Sequence, residues 1–572
     1  MIKKLINSKL WLPVVLILLA GINWAASVWH TRMDLTNENR FTLSNATVKL
    51  LQKLKDPVTV EVFLKGNYPS GFRKLSAATN DILREFKEVA GNKIQYTFIS
   101  PNETMPGTDV KYGDTLTGIG LFPINLTSQV EQGQQQQFVY PFAMVHFKDK
   151  SLPITLYHLP ITLYQGKTPL IYFQELSSAE AMLEYNIINA ISKVTQAHKP
   201  MLAYAMGNGE PNDMRIYDLM ENYLKAHYNL QACNLASDPF IPEEFAVLLV
   251  VKPTLPFTEE EKLKLDQYVM NGGKILWFID RLNAEMDSLQ IKNEVVAYDR
   301  NLQLNDLFFK YGVRQNADLV MDLQCDYLPF DVNGNGQFEY LPWNYFPLFE
   351  GNNNHPINKN LGFVTGRFVN SIDTVAAEGI TKTVLLASSA HSRTIATPAL
   401  ISGKENVNAP EDAKFNKAHI PVAVLLEGKF TSLYRNRVSQ AMSDSMAKYN
   451  LQFLPQNVSG NKMIVVADGD MVLNSVFKNN PLPMGANPFT YGTQRDIPFA
   501  NGNFLENCLE YLVNENNLME AKSKEYVVRL LDTKKVKQQK SKLQLINIIV
   551  PVLMVVLFAL LFGWLRKRRY AQ

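Results

Sequence analysis

The most apolar positions of the chain fall into two uncharged runs. The first covers Leu10–Val28 and the second covers Leu545–Leu565. Because a bilayer core about 30 Å thick needs roughly 20 apolar residues of helix, both runs predict transmembrane helices. A cleaved signal peptide is the alternative for the first run, although that run is longer than a usual signal core and lacks a clear small-residue cleavage site.

Basic residues beside the first run predict the orientation of the protein. Lys3, Lys4 and Lys9 precede it, so the positive-inside rule predicts a cytoplasmic N-terminus. A second span then returns the C-terminus to the cytoplasm. We therefore expect a protein of the inner (cytoplasmic) membrane with two spans, contact with lipid, and a large central region in the periplasm.

The first polar segment between the runs alternates between strand and helix patterns. The stretch VTVEVFLKG alternates apolar and polar residues, residues 72–90 repeat apolar positions at helical spacing, and KIQYTFISP is a further strand pattern. This order resembles half of a thioredoxin-like domain. The segment contains no cysteine, so we expect a scaffold without redox chemistry.

From residue 199 the pattern changes to continuous apolar strands separated by helices. FAVLLVV and ILWFI are uninterrupted apolar runs, as strands buried on both faces of a parallel sheet require. Between them, Thr258 and Glu261 have the spacing of a capping box, and Gly272-Gly273 predicts the helix end. The alternation predicts an α/β region with a doubly wound, Rossmann-like or flavodoxin-like sheet.

These patterns divide the chain into six predicted segments. They are a cytoplasmic N-terminus with the first transmembrane helix (1–30), an N-terminal extracytoplasmic α/β domain (31–198), a Rossmann-like region (199–515), a juxtamembrane stalk (516–544), the second transmembrane helix (545–566) and a cytoplasmic tail (567–572). The predicted fold class is thus α/β, anchored in the membrane at both ends.

The composition fits a globular protein and excludes some function classes. Charged residues make up 19% and hydrophobic residues 46% of the chain, as in proteins with packed cores. A net charge of +3 lacks the basic excess of a nucleic-acid-binding domain, so we expect no nucleic-acid partner. Cys233, Cys325 and Cys508 have neither a metal-ligand spacing nor a disulfide framework, and we expect them to be buried.

A glycine-containing turn follows the first strand of the Rossmann-like region. Gly207, Asn208, Gly209 and Glu210 lie at the carboxyl end of that strand, where open α/β sheets bind ligands. The turn lacks the G-x-G-x-x-G spacing and the chain has no P-loop lysine, so we expect no nucleotide. Two interpretations remain: a tight turn that needs positive φ, or a ligand-binding turn with Glu210 as its polar group.

Two acidic patterns are weak metal-site candidates. Asp468 and Asp470 end a predicted strand, but neither a histidine nor a third carboxylate stands beside them in sequence. The stretch DVNGNG, from Asp331 to Gly336, fits the first half of an EF-hand loop, yet its twelfth position is Pro342 rather than glutamate. We therefore expect a turn-rich surface loop there and no metal or cofactor. No catalytic signature is recognisable, so we expect no enzyme.

Aromatic residues are dense in the stretch YLPWNYFPLFEGNNNHPINKN. We predict a proline-interrupted loop that presents Trp343, Tyr345, Phe346 and Phe349 as a contact surface for a partner. The alternative is a loop folded back onto the core.

Several motifs, in order along nearly the whole chain, resemble one family. They include DLTNENRFTLS, the GNGE turn, PFTEEEKLKLDQYVMNGGKIL, QFEYLPWNYFPLF, PVAVLLEGKFTS and VVADGDMVLN. The chain resembles the gliding-motility-associated auxiliary proteins of ABC transporters (GldG) of Bacteroidota. The family often has histidine where this chain has Asn208, which weakens a catalytic role for the turn.

The resemblance implies an anchored extracytoplasmic subunit that works with a separate ABC ATPase and a separate polytopic permease. We expect a non-enzymatic component that couples the transporter to an envelope or gliding-machinery protein. One rival is a tethered substrate-binding receptor that delivers a small solute, sugar or peptide, bound near Gly207–Glu210, to the permease. A weaker rival is a degenerate hydrolase that uses Asp468 and Asp470.

Overall fold

The computed structural model describes residues 11–28, 42–130, 133–157, 161–165, 168–172, 176–292, 294–332, 335–351, 354–402, 412–449, 451–493, 496, 499–514, 518–523 and 533–570. The chain divides into two units, Met1–Glu525 and Tyr526–Gln572. The first unit contains an uncharged helix, α1 (Trp11–Val28), and the α/β body.

A four-stranded sheet organises the first lobe of the body. The elements of this lobe are α2 (Asn45–Lys53), β1 (Val58–Val62), α3 (Ser70–Ala90), β2 (Ile94–Phe98), α4 (Tyr112–Gly118), β3 (Ile124–Val130), β4 (Gly133–Val139), β5 (Phe142–Phe147), β6 (Lys150–Thr155), β7 (Ile161–Gln165), β8 (Thr168–Tyr172) and α5 (Leu176–Thr195). The sheet order is β2-β1-β5-β6. Strands β1 and β2 are parallel, whereas β5 is antiparallel to β1 and β6 is antiparallel to β5.

The local sequence explains the helices of the first lobe. Helix α2 follows the N-cap Ser44, whose hydroxyl accepts a hydrogen bond from the backbone N–H of Thr47 at 3.2 Å. Helix α3 buries Leu75, Leu83 and Phe86, which recur on one face at helical spacing. These side chains pack against the strands and α5 in one hydrophobic core.

A ten-stranded sheet organises the second lobe. The elements of this lobe are β9 (Met201–Met206), α6 (Lys225–His227), β10 (Asn229–Asn234), β11 (Phe245–Val251), α7 (Glu259–Met270), β12 (Lys274–Phe278), β13 (Leu282–Asn283), α8 (Met286–Lys292), β14 (Glu294–Asp299), α9 (Asn305–Tyr311), β15 (Val313–Gln315), β16 (Asp318–Asp322), β17 (Cys325–Phe330), β18 (Glu339–Gly351), β19 (Val364–Thr365), β20 (Ile372–Thr374), β21 (Ile380–Ala387), β22 (Ser392–Ala396), β23 (Ala399–Ser402), β24 (Pro421–Gly428), α10 (Gln440–Ala447), β25 (Asn461–Val466), β26 (Val476–Phe477), β27 (Asn480–Pro481) and α11 (Asn501–Val513). The sheet order is β10-β9-β11-β12-β25-β24-β21-β18-β17, with β19 beside β18.

The first five strands in this order are parallel, and the remaining strands are antiparallel to their neighbours. In chain order the parallel strands run second, first, third, fourth, fifth, which is the strand order of flavodoxin-like sheets. The order reverses between β9 and β11. Their carboxyl ends therefore flank the point where open α/β sheets place ligands.

Helices cover both faces of the parallel strands. One face packs against α7 and α9, through alternate strand residues that include Trp277 and Val465. The opposite face packs against α11, through the intervening residues that include Phe278 and Val466. The mixed α/β architecture predicted from the continuous apolar strands is confirmed. Strands β9, β11, β12 and β25 bury both of their faces, whereas the edge strand β10 is largely exposed.

Several local predictions agree with the structure. Thr258 and Glu261 form a complete capping box at the start of α7, and Gly272 follows its end with φ of +94°. All three cysteines are free and buried. In the DVNGNG stretch, the carboxylate of Asp331 accepts hydrogen bonds from the backbone N–H groups of Asn335 and Gly336, which makes a turn. Residues 333–334 lie outside the described part.

Two predicted elements differ from the structure. The helix expected after the glycine turn is broken into a 3₁₀ turn (Met214–Ile216), a π-helical turn (Leu219–Leu224) and α6. Asp218, within this stretch, accepts a hydrogen bond from the distant backbone N–H of Met484, so tertiary contacts compete with the regular helix here. The predicted aromatic loop is instead strand β18.

The second unit contains one long helix, α12 (Thr533–Tyr570). Among the described residues, its stretch Gln544–Arg568 is long and apolar enough to cross a membrane, with a mean hydropathy of 3.0. None of that stretch is buried within the protein, and Leu553, Leu557 and Phe558 are each more than half exposed. Residues 516–517 and 524–532 of the predicted stalk lie outside the described residues.

Candidate functional site

The glycine turn after β9 lies at the carboxyl edge of the parallel strands. Gly207 has φ of +117° and Gly209 has φ of +79°, so the predicted need for positive φ is met at both glycines. A Cβ on Gly209 would lie 2.1 Å from Oγ1 of Thr254, which follows β11. The backbone N–H of Thr254 also donates to the carbonyl of Asn208 at 2.8 Å. The turn is thus held tightly against the neighbouring strand end.

Asn208 and Glu210 turn inward and are buried. The Glu210 carboxylate accepts a hydrogen bond from the backbone N–H of Asn208 at 2.8 Å, and the Asn208 amide donates to Glu261 at 3.1 Å. Burial raises the pKa of Glu210 to about 7, and the Glu261 charge adds to this. Asn208 Oδ1 and Glu210 Oε1 have no hydrogen-bond partner in the described part of the chain. The turn therefore combines a structural role with two uncompensated acceptors.

A second polar group lies at the same sheet edge and centres on Lys252, which directly follows β11. Its side chain is 3% exposed. The ammonium lies 2.6 Å from Asp470 and 3.1 Å from both Asp280 and Glu285. Gly469 makes room for it, because a Cβ there would lie 2.7 Å from the Lys252 Cβ.

Three aspartates lie close together at this sheet edge, and two of them, Asp280 and Asp470, pair with the ammonium. Asp280, Asp468 and Asp470 each bring a carboxylate oxygen to within 4.8 Å of the others. Asp280 accepts from the backbone N–H of Gly469 at 2.5 Å. Asp468 accepts from the backbone N–H groups of Asp470 at 2.8 Å and of Arg367 at 2.9 Å. We call Lys252, Asp280, Asp468 and Asp470 the lysine–aspartate cluster.

Burial and charge act in opposite directions within the lysine–aspartate cluster. Burial raises the pKa of Asp468 well above its usual value, and the charges of Asp280 and Asp470 raise it further. Burial also raises the pKa of Asp280 to about 6, although Lys252 lowers it. Asp470 is buried too, but the charges of Lys252 and Arg367 hold its pKa below the ordinary value.

The Lys252 ammonium occupies the position between the carboxylates of the lysine–aspartate cluster where a bound cation would lie. Burial disfavours the charge of Lys252, yet Asp470, Asp280 and Glu285 raise its pKa above the ordinary value, so the amine stays protonated. A protonated lysine is neither a base nor a nucleophile. A divalent metal ion bound by these carboxylates would have to displace the ammonium. The residue types fit metal ligation, but the geometry favours a buried ion-pair network.

Comparison with known proteins identifies the family. A family model described as "ABC-type uncharacterized transport system" matches residues 199–508, which is more than half of the chain. The chain belongs to this family. It is an auxiliary component of an ABC transport system, and the resemblance inferred from its motifs is confirmed at family level. A second model, a domain of unknown function, matches residues 37–146.

Two solved structures are remotely similar to the chain. No curated protein matches the chain. The solved structure "mmIFT52 N-terminal domain" is 12% identical with a TM-score of 0.30, covering 55% of this chain and 97% of that one. The exo-beta-1,4-mannosidase Op5Man5 from Opitutaceae bacterium strain TAV5 is 9% identical with a TM-score of 0.19, covering 76% of this chain and 52% of that one. Neither is close enough to support an argument about this chain.

The match to the transport family includes the glycine turn and the lysine–aspartate cluster. Of the cluster, the metal-site prediction named Asp468 and Asp470 but missed Lys252 and Asp280. Both missed residues directly follow apolar strand patterns. The carboxyl ends of parallel strands meet at one sheet edge. The positions of Lys252 and Asp280 after apolar strands could therefore have predicted that both lie near Asp468 and Asp470.

The four aromatic residues of β18 do not form a contact surface. Trp343, Tyr345, Phe346 and Phe349 are at most 2% exposed. Trp343 lies 5.2 Å from Tyr345 and 5.6 Å from Phe330 between ring centroids, within a buried aromatic group. The exposed-loop interpretation was wrong, because β18 pairs with β17 and β21 and buries these rings. The alternative, packing onto the core, is what the structure has.

Proposed function

We propose that this chain is a non-enzymatic, membrane-anchored subunit that works outside the cytoplasmic membrane. In this proposal it joins an ABC ATPase and a polytopic permease and couples them to an envelope or gliding-machinery protein. The observation that carries the proposal is the helix Gln544–Arg568, in a chain whose body belongs to an ABC transport family. At 1.5 Å per residue this stretch is longer than the roughly 30 Å of a bilayer core.

The proposal uses two membrane helices. Helix α1 supplies the second, because it is uncharged and Leu16, Ile17, Leu18 and Leu19 are each more than half exposed. Lysines precede it, so the N-terminus lies in the cytoplasm and residues 31–544 lie in the periplasm. Both helices then pack against the permease, which buries apolar side chains that are exposed in this chain alone.

The periplasmic body has two lobes in this proposal. We assign the first to a thioredoxin-like fold, because a parallel strand–helix–strand pair is followed by an antiparallel pair and a helix. We assign the second to a flavodoxin-like fold from its strand order and its helices on both faces. The protonated, ion-paired Lys252 supports a body that binds partners rather than one that performs chemistry.

The rival proposal is a tethered receptor with a solute bound at Gly207–Glu210. The two unpartnered oxygens of Asn208 and Glu210 favour it. Contacts with Glu261 and Thr254 oppose it, because they already fill the space beside the turn. A small solute bound at this turn would raise the melting temperature, since a ligand that binds only the folded state stabilises it.

Affinity purification of the full-length protein from detergent-solubilised native membranes tests the subunit proposal. We expect an ABC ATPase and a polytopic permease to be recovered with it. A variant with residues 544–568 replaced by an unrelated apolar helix of equal length remains in the membrane and is expected to lose both partners. A conservative Leu557→Ile variant is the matched control. Recovery of the protein alone, or unchanged recovery with the replaced helix, would contradict the proposal.

A further inference from the structure

A polar cavity of about 370 Å³ lies within the first unit, between the first lobe and helix α11. Its walls are the end of β6, helix α5, helix α11 and the 3₁₀ turn Leu518–Ser523. Pockets for small molecules typically measure about 300–1,000 Å³ and contain a few convergent polar groups. The ionisable side chains that line this cavity are Tyr185, Lys193, His227, Glu506, Glu510 and Lys522.

Lys522 contributes a buried amine with unused hydrogen-bonding capacity. It is 4% exposed, donates to Oδ1 of Asn507 at 2.7 Å, and lies 5.3 Å from the centroid of the Tyr185 ring. An ammonium has three donors. Among the described residues it forms no ion pair with Glu506 or Glu510. Burial lowers the pKa of Lys522 to about 7, although the charges of Glu506 and Glu510 act to raise it.

Glu506 contributes a carboxylate without a cationic partner. The His227 ring lies near it, but its Nε2 is 3.7 Å from Glu506 Oε1 and thus beyond hydrogen-bond distance. Burial lowers the pKa of His227 to about 4, so this ring is uncharged at neutral pH. Lys193 also lines the cavity, but it pairs with Glu510 at 2.7 Å.

The cavity therefore presents a buried amine without an ionic partner, Lys522, and a partly exposed carboxylate, Glu506, at separate positions. A ligand with a single charge would compensate only one of them. The Lys522 ammonium is buried, and a buried charge without an ionic partner is costly, so a ligand carboxylate gains most there. The Glu506 side chain is 39% exposed, and a ligand that also carries an ammonium gains a second, weaker attraction to this carboxylate. The carboxamides of Asn189 and Asn503 line the same space and add neutral donors and acceptors.

We propose that this cavity binds a small zwitterion of amino-acid or dipeptide size. The ligand's carboxylate contacts the Lys522 ammonium, and its own ammonium contacts the Glu506 carboxylate. This site lies apart from the glycine turn and from the lysine–aspartate cluster. It goes beyond the subunit function proposed above and stands or falls without any transporter partner.

Isothermal titration calorimetry on the full-length protein in detergent tests the proposal with defined probes. The probes are alanine, alanyl-alanine, N-acetyl-alanyl-alanine and alanyl-alanine amide. We expect alanine or alanyl-alanine to bind at neutral pH. Each blocked peptide lacks one charge and is expected to bind about tenfold more weakly or worse, as the loss of a charge-assisted hydrogen bond predicts. Equal binding of free and blocked peptides, or no binding of either free probe, would overturn the proposal.

Two variants assign the contacts within the cavity. Lys522→Met keeps the hydrocarbon chain and removes the amine, and Glu506→Gln keeps the shape and removes the charge. Both are expected to weaken binding of the free probe by about tenfold or more. The control is Lys310→Met, at an exposed position on α9. Circular dichroism establishes that each variant is folded. Unchanged affinity in both folded cavity variants would exclude this site.

Discussion

Replacing Lys252 with methionine tests the interpretation of the lysine–aspartate cluster as an ion-pair network. The change keeps most of the side-chain volume and removes an ammonium that is 3% exposed and within 3.1 Å of three carboxylates. Removing one partner of a buried ion pair costs about 3–5 kcal/mol, because the remaining charge is left without compensation. We expect the free energy of unfolding to fall by about this amount near pH 8.

The loss should depend on pH. Lys252 lowers the pKa values of Asp280 and Asp470, so its removal raises both in the folded protein. A carboxyl whose folded pKa lies above its unfolded pKa destabilises the protein at high pH. This penalty shrinks as the pH falls below the folded pKa and disappears near the unfolded pKa. The difference between wild type and Lys252→Met is therefore largest near pH 8 and smaller toward pH 5.

Guanidinium unfolding of the full-length protein in detergent measures this difference. Tryptophan fluorescence reports it, because Trp277 is fully buried in the sheet that carries Lys252. Lys310→Met, at an exposed position, is the control and should leave the free energy of unfolding nearly unchanged. A loss below about 1 kcal/mol, or a loss that does not vary with pH, would refute the reasoning, since a buried network cannot tolerate an unpaired charge.

Three further predictions follow from burial and backbone geometry. Trp343→Ala should lower the free energy of unfolding by about 3–5 kcal/mol in guanidinium titrations, because this ring is fully buried. A much smaller loss would contradict the burial of the ring and favour an exposed loop. Gly209→Ala should lower the melting temperature, because φ is positive and the Cβ would strike Thr254, whereas Gly460→Ala, with open space around it, should not. In the wild type the pKa of Glu210 is raised to about 7, so the protein gains stability as the pH falls from about 8 to 6. Glu210→Gln removes this titration and should make the melting temperature depend less on pH over that range.

Local sequence patterns predicted much of the fold. Continuous apolar runs such as FAVLLVV indicate strands buried on both faces, and β11 is such a strand. The capping box at Thr258 and the positive φ at Gly209 depend on residues a few positions apart, so the sequence alone suffices to predict them.

The candidate site depends on contacts between distant parts of the chain, which the sequence does not reveal. The hydrogen bond between Gly469 and Asp280 joins positions 189 residues apart. It exists because β25 returns to pair with β12 after a long antiparallel excursion. Long-range contacts also explain why the sequence was misleading at β18. Its prolines and aromatic residues are typical of a loop, yet the segment is a strand. Its pairing with β17 and β21 is a tertiary effect that overrides the local signal.

Site-specific photocrosslinking in native membranes tests the central claim most directly. A photoreactive residue would replace Leu553, Leu557 or Leu560, which share one face of α12, or Val555 or Phe562 on the opposite side. If α12 docks on a transporter, one of these faces forms adducts with a polytopic permease and the other labels lipid. Labelling of lipid alone from both faces would contradict the account.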